Sequence, residues 1–137
     1  AERFAEWGYE TGDGVATEIR GEYPTKFGQL RIVQYDSCRG LEGWVSVNLK
    51  IDDFHRYKID EYLNRHNDSI APGNLQDATT DEQQERANNF AARWIVIALT
   101  RAIDTLVIEI GVEDTPIRRI LKAAAEKHPD FVRWMNA

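Results

Sequence analysis

The order of two strand-like runs around one long helical pattern constrains this chain most. Trp44 to Leu49 (Trp-Val-Ser-Val-Asn-Leu) alternates with period two, and Thr105 to Ile110 (Thr-Leu-Val-Ile-Glu-Ile) is a nearly continuous β-branched, apolar run. Between them Ala87, Phe90, Ala91, Trp94 and Ala98 recur at helical spacing. An apolar run with little alternation marks a buried strand, and the order strand, helix, strand points to an α/β sheet. With 137 residues, 42% of them hydrophobic, the chain can bury one core. The expectation is a single domain over residues 1–137. A first residue of Ala rather than Met reads as a fragment or excised domain.

The remaining elements follow from local chemistry. Leu30 to Tyr35 reads as a strand, and Val15 to Ile19 as a short one preceded by a Gly12-Asp13-Gly14 turn. Residues Ile51 to Leu63 read as a helical or irregular excursion. The polar stretch from about 64 to 79, with Pro72-Gly73 inside it, reads as a mobile loop. Thr79 with Glu82, or Thr80 with Gln83, fits a capping box that starts the long helix, which should end near Thr100 to Ala102. Thr115 before Pro116 starts a second helix with Ile117, Ile120, Leu121 and Ala124 on its apolar stripe. Pro129 stops it, and Phe131 to Met135 reads as one further turn.

Charge and cysteine content narrow the function. The formal net charge of −6 opposes a protein that holds nucleic acid by electrostatics alone, because phosphate neutralisation needs clustered Lys and Arg. The one cysteine, Cys38, cannot form an internal disulfide, and no stretch approaches the roughly 20 apolar residues that span a bilayer. A cytoplasmic protein without a membrane partner is expected. His55, His66 and His128 have no Cys or carboxylate at ligand spacing, so no metal site is assigned to this chain. Asp52-Asp53 and Asp60-Glu61 read as solvated surface. Of the four tryptophans, Trp94 and Trp44 read as core, leaving Trp7 and Trp134 as candidates for stacking on bases.

Two segments carry chemistry. Cys38-Arg39-Gly40-Leu41-Glu42 leaves one strand and enters the next, with a glycine that keeps the backbone slim and a carboxylate with acceptor lone pairs. Val96-Ile97-Ala98-Leu99-Thr100-Arg101-Ala102 ends the long helix just before a strand. Arg101 follows Trp94 by seven positions and so emerges on the helix's apolar face, where a guanidinium calls for an anionic or polar partner. It can also cap carbonyls at the helix end or pair with Asp104.

In this order, with Glu42 and Arg101 separated by 59 positions, the segments resemble motifs V and VI of superfamily 1 (UvrD/Rep-like) DNA helicases. The flanking run from Arg31 to Ser37 extends the resemblance to roughly residues 28 to 110. Residues 36–44 take the motif V place and 96–102 the motif VI place. The resemblance implies a RecA-like, P-loop NTPase-type sheet flanked by helices, forming all or part of the second motor domain. It implies ATP and Mg held mainly by a first motor domain in the same parent protein, with single-stranded DNA as the track. Arg101 would be the arginine finger on the terminal phosphate, and Glu42 the acceptor for the ribose. Arg39, Gly40 and Thr100 would line the nucleotide, and Ser37 would take a DNA-contacting position. Asp36 stands where many members have a histidine, Phe90 and Ala91 replace a common acidic pair, and Val96 replaces a tyrosine. The sequence contains no Gly-x-x-x-x-Gly-Lys-Ser/Thr phosphate loop, so this segment alone is expected to be inactive. A degenerate domain kept as a protein-interaction module is the alternative, followed by an unrelated α/β enzyme with an arginine at a strand end.

Overall fold

The computed structural model describes residues 2–15, 28–67 and 80–135, which pack as two compact units, residues 1–41 and 42–137. In the first unit, a short helix α1 (Glu2–Glu6) sets Phe4 edge-on to Trp7, with centroids 5.8 Å apart. Strand β1 (Thr11–Asp13) then runs parallel to β2 (Leu30–Ile32), in the register Thr11 with Leu30. The expected turn at Gly12-Asp13-Gly14 is therefore a strand ending. Leu30 N–H donates to Glu10 O at 2.9 Å and Gly14 N–H to Ile32 O at 2.7 Å, so ladder bonds override the turn preference of these residues. Of the expected strand Val15 to Ile19, Val15 lies in a bend and 16–19 fall outside the described residues.

The expected strand from Leu30 to Tyr35 ends at Ile32, and a 3-10 turn follows at Tyr35–Ser37. Cys38 is buried behind that turn, with its thiol donating to the Tyr35 carbonyl at 3.1 Å.

The second unit is a strand, two helices and a strand, followed by a last helix. Strand β3 (Gly43–Asn48) pairs in parallel with β4 (Ala102–Ile108), and the helices α2 (Ile51–Asn67) and α3 (Thr80–Leu99) form the crossover between them. This is the mixed α/β architecture that the strand and helix patterns predict. Parallel neighbours need such a connection, because a tight turn can only reverse direction. The stretch left open between helix and irregular structure is fully helical, and residues 64–67 of the expected loop belong to α2; 68–79 lie outside the described residues, as do the capping-box side chains of Thr79 and Thr80.

The core lies where α2 meets α3. From α3, Ala87, Ala91, Ile95 and Ala98 are buried at spacings of four, four and three, and α2 answers with Ile51 and Phe54. The small alanines let the helices approach closely. Tyr62, Phe90 and Trp94 continue the seam, with centroid separations of 5.4 and 6.4 Å.

Lys58 sits inside this seam at 3% exposure. Its ammonium lies 4.3 Å from the centre of the Trp94 ring and 2.7 Å from a Glu61 carboxylate oxygen. A buried cation persists only with such partners.

The last helix, α4 (Pro116–Lys127), starts as its sequence predicts. Thr115 caps it, its hydroxyl accepting from Arg118 N–H at 3.3 Å, with proline in the first turn where no N–H is required. After it, the His128 carbonyl accepts from Phe131 and Val132, closing one turn. Residues 132–135 continue without helix, so the expected turn lies a few residues early.

Candidate functional site

The parallel register decides which residues meet. Gly43 opposes Ala102, and Gly43 N–H donates to the Arg101 carbonyl at 3.0 Å. Glu42 and Arg101, 59 positions apart in the chain, therefore flank adjacent strand starts at one end of the β3·β4 sheet. Glu42 is exposed and Arg101 half-buried.

Arg101 is held over the last turn of α3: its Nε donates to the Ile97 carbonyl at 2.9 Å and Nη2 to the Thr100 hydroxyl at 3.0 Å. That hydroxyl also lies 2.9 Å from the Val96 carbonyl, to which it can donate. Both side chains thus engage the end of the helix, where carbonyls lack intrahelical partners and a cation is favoured. Asp104, the other partner considered for Arg101, accepts from the Thr105 hydroxyl at 2.7 Å.

The other sequence-predicted residues belong to the first unit. Ser37 closes the 3-10 turn, and Arg39 and Gly40 follow it, both exposed. Gly40 has φ +80°, a left-handed backbone suited to glycine, and a Cβ there would meet nothing within 4 Å. Its requirement for glycine is therefore conformational rather than a matter of crowding.

Open α/β sheets commonly bind ligands beyond the carboxyl ends of their strands. Glu42 and Arg101 lie at the amino ends.

At the carboxyl end stands a feature the sequence did not reveal. Asp52, read as solvated, is 5% exposed, and its Oδ2 accepts from Gly111 N–H at 3.0 Å, tying the first turn of α2 to the segment after β4. Glu61, also read as surface, is the partner of Lys58, and its carboxyl is held below the ordinary value chiefly by the Lys58 hydrogen bond, with Arg65 assisting. Spacing alone does not disclose a bond between residues as distant as Asp52 and Gly111.

Trp44, read as core, is 73% exposed. Alternation shows which residues share a face, not whether that face is covered. Of the stacking candidates, Trp7 is exposed and Trp134 lies beneath Arg118, whose guanidinium carbon is 5.2 Å from the ring centre. A cavity of about 400 Å³ between α4 and the following segment is lined by Ala125, Pro129, Val132 and Trp134 with Lys122 and Arg133, and includes none of the predicted site residues.

Among the described residues, no cluster of three or more His, Cys, Asp or Glu side chains is placed to hold a metal ion, and no helix is long and apolar enough to cross a membrane. Compared with known protein families, curated proteins and solved structures, the chain matches none.

Proposed function

We propose that this chain is a RecA-like second motor domain of a superfamily 1 helicase or translocase. It would act on a nucleotide bound mainly by a first motor domain. The observation that carries this reading is the adjacency of the two parallel strand starts that Glu42 and Arg101 precede, joined by the Gly43 to Arg101 backbone bond. In this role Glu42 accepts a hydrogen bond from the ribose, and Arg101 meets charge developing on the terminal phosphate of MgATP. Arg39, Gly40 and Thr100 are assigned nucleotide contacts, and Ser37 a DNA contact, on the strength of the motif resemblance alone. The phosphate loop and the Mg ligands would come from the first domain. Cleft opening and closing would move the pair along single-stranded DNA.

An arginine finger contributes about three to five orders of magnitude to phosphoryl transfer. Arg101→Ala in a parent protein containing this domain should therefore lower DNA-stimulated ATP hydrolysis at least about a thousandfold while the circular dichroism spectrum holds. An undiminished rate in that folded variant refutes the assignment.

A second reading is favoured by the bonds Arg101 and Thr100 make to their own helix end. On that reading the motif VI-like residues are retained for packing, and the domain is an interaction module. It predicts that Arg101→Ala lowers stability and leaves hydrolysis in the parent unchanged.

A further inference from the structure

The chain's path after α4 builds a cavity from two short stretches of sequence. Helical spacing puts Lys122, Ala125, Glu126 and Pro129 on one side of α4 and its end, at i, i+3, i+4 and i+7. Pro129 stops the helix. The His128 carbonyl then accepts from Phe131 N–H at 3.1 Å and from Val132 N–H at 2.9 Å, which turns the chain back on itself. Val132, Arg133 and Trp134 form the other wall of the resulting cavity of about 400 Å³. Trp134 is held in that wall by Arg118, whose guanidinium carbon is 5.2 Å from the ring centre and whose Nη1 donates to the Gly111 carbonyl. The indole is therefore positioned by the fold itself, without a ligand.

Charge at the cavity runs against the rest of the chain. Acidic residues outnumber Lys and Arg by 23 to 17, and Arg56, Arg65 and Arg119 are each paired with a carboxylate. Lys122 and Arg133, both exposed at the cavity, have no such pairing among the described residues. Against these two cations the lining carries one carboxylate, Glu126, so its balance is positive. Ala125, Pro129, Val132 and the Trp134 ring supply the remaining surface, which is apolar. A cavity of this size, mostly apolar with a few charged groups, is the usual form of a small-ligand site. Its apolar walls offer little to the hydroxyls of a sugar, and its cations call for a single ionised acid on an apolar body.

We propose that this cavity binds a small aromatic or branched aliphatic carboxylate. The apolar body lies against Ala125, Val132 and Trp134, and Lys122 and Arg133 meet the carboxylate. None of Glu42, Thr100 and Arg101 lines the cavity, so this site goes beyond the nucleotide reading and stands without it.

Titration of the whole chain with 2-naphthoate, followed by two-dimensional amide NMR, tests the site. Saturable shifts should centre on residues 122–134, with a Kd of about a millimolar for a ligand of this size. The uncharged 2-naphthalenemethanol should bind about tenfold more weakly, because it forfeits both cation contacts. Adenosine monophosphate, an anion with a polar body, should also bind about tenfold more weakly than the naphthoate. Lys122→Gln combined with Arg133→Gln alters only exposed side chains. It should weaken naphthoate about tenfold and leave the alcohol unchanged, and added salt should weaken the acid alone. Val132→Asp, at a position already 39% exposed, should abolish naphthoate binding by setting a like charge in the wall. Absence of saturation up to about 10 mM, shifts centred elsewhere, equal affinity for acid and alcohol, adenosine monophosphate binding as tightly as naphthoate, or naphthoate affinity unaltered in the double glutamine variant would each overturn the proposal.

Discussion

Asp52 and Gly111 form a two-residue latch whose strength a double-mutant cycle can measure. The carboxylate is buried, sits in the first turn of α2, and accepts from Gly111 N–H at 3.0 Å. A hydrogen bond to a charged group contributes about 1.5–3 kcal/mol, and an anion at a helix start about 0.3–1 kcal/mol. Asp52→Ala should therefore cost about 2–4 kcal/mol, or roughly 6–14 °C in Tm for a chain of this size. Gly111→Ala attacks the same contact sterically, because its Cβ would lie 2.7 Å from Oδ2 and force the carboxylate aside. We expect a loss of about 2 kcal/mol from the broken bond.

In the Asp52→Ala background that obstacle is gone. Gly111 is not among the glycines with positive φ, so alanine there should be neutral or stabilise by about 0.4–1 kcal/mol through the less flexible unfolded chain. The second substitution thus changes from harmful to harmless, and the double variant should exceed the additive expectation by about 2–3 kcal/mol. Urea unfolding followed by tryptophan fluorescence gives all four stabilities. Additivity within about 0.5 kcal/mol would refute the latch.

The Lys58 hydrogen bond holds the Glu61 pKa below its ordinary 4.5, so the ion pair's stabilisation is present above that value and is lost as pH falls through the lower folded value. Glu61→Gln should flatten this acid-side part of a stability-versus-pH curve, measured by urea midpoints from pH 6 down to about 3; an unchanged slope counts against the pair. Thr115→Ala removes the α4 cap and should cost about 1 kcal/mol in the same assay, whereas Thr115→Ser should cost little. Equal losses in the two variants would show that the hydroxyl bond to Arg118 N–H is not what matters.

How much the sequence discloses depends on the range of the forces. Local signals located α4 closely, since Thr115, Pro116 and Pro129 act within a turn of themselves. The strands β3 and β4 were legible as apolar runs, although β4 begins three residues earlier than its pattern, where Gly43 pairing captures Ala102. In α2 the stripe is blurred because Lys58 occupies an inward position, and its role becomes evident only with Trp94 from another helix in place. The strand at Thr11–Asp13 was hidden for a similar reason, its stabilising bonds coming from the distant Leu30–Ile32 segment. Of the candidate site, the motifs fixed which residues to watch. The amino-end location of Glu42 and Arg101, and the helix contacts of the latter, required coordinates.

The long crossover between β3 and β4 also bears on how the second unit assembles. Every ladder bond joins residues about sixty positions apart, so closing the intervening chain costs roughly 3–4 kcal/mol of entropy, plus a constant, before any reward from strand pairing. The α2 and α3 hairpin spans less chain and can gather its alanine seam first. Sheet formation then becomes the late, slow event, and newly made molecules spend their vulnerable interval with two unjoined, sticky strands attached to an already consolidated pair of helices.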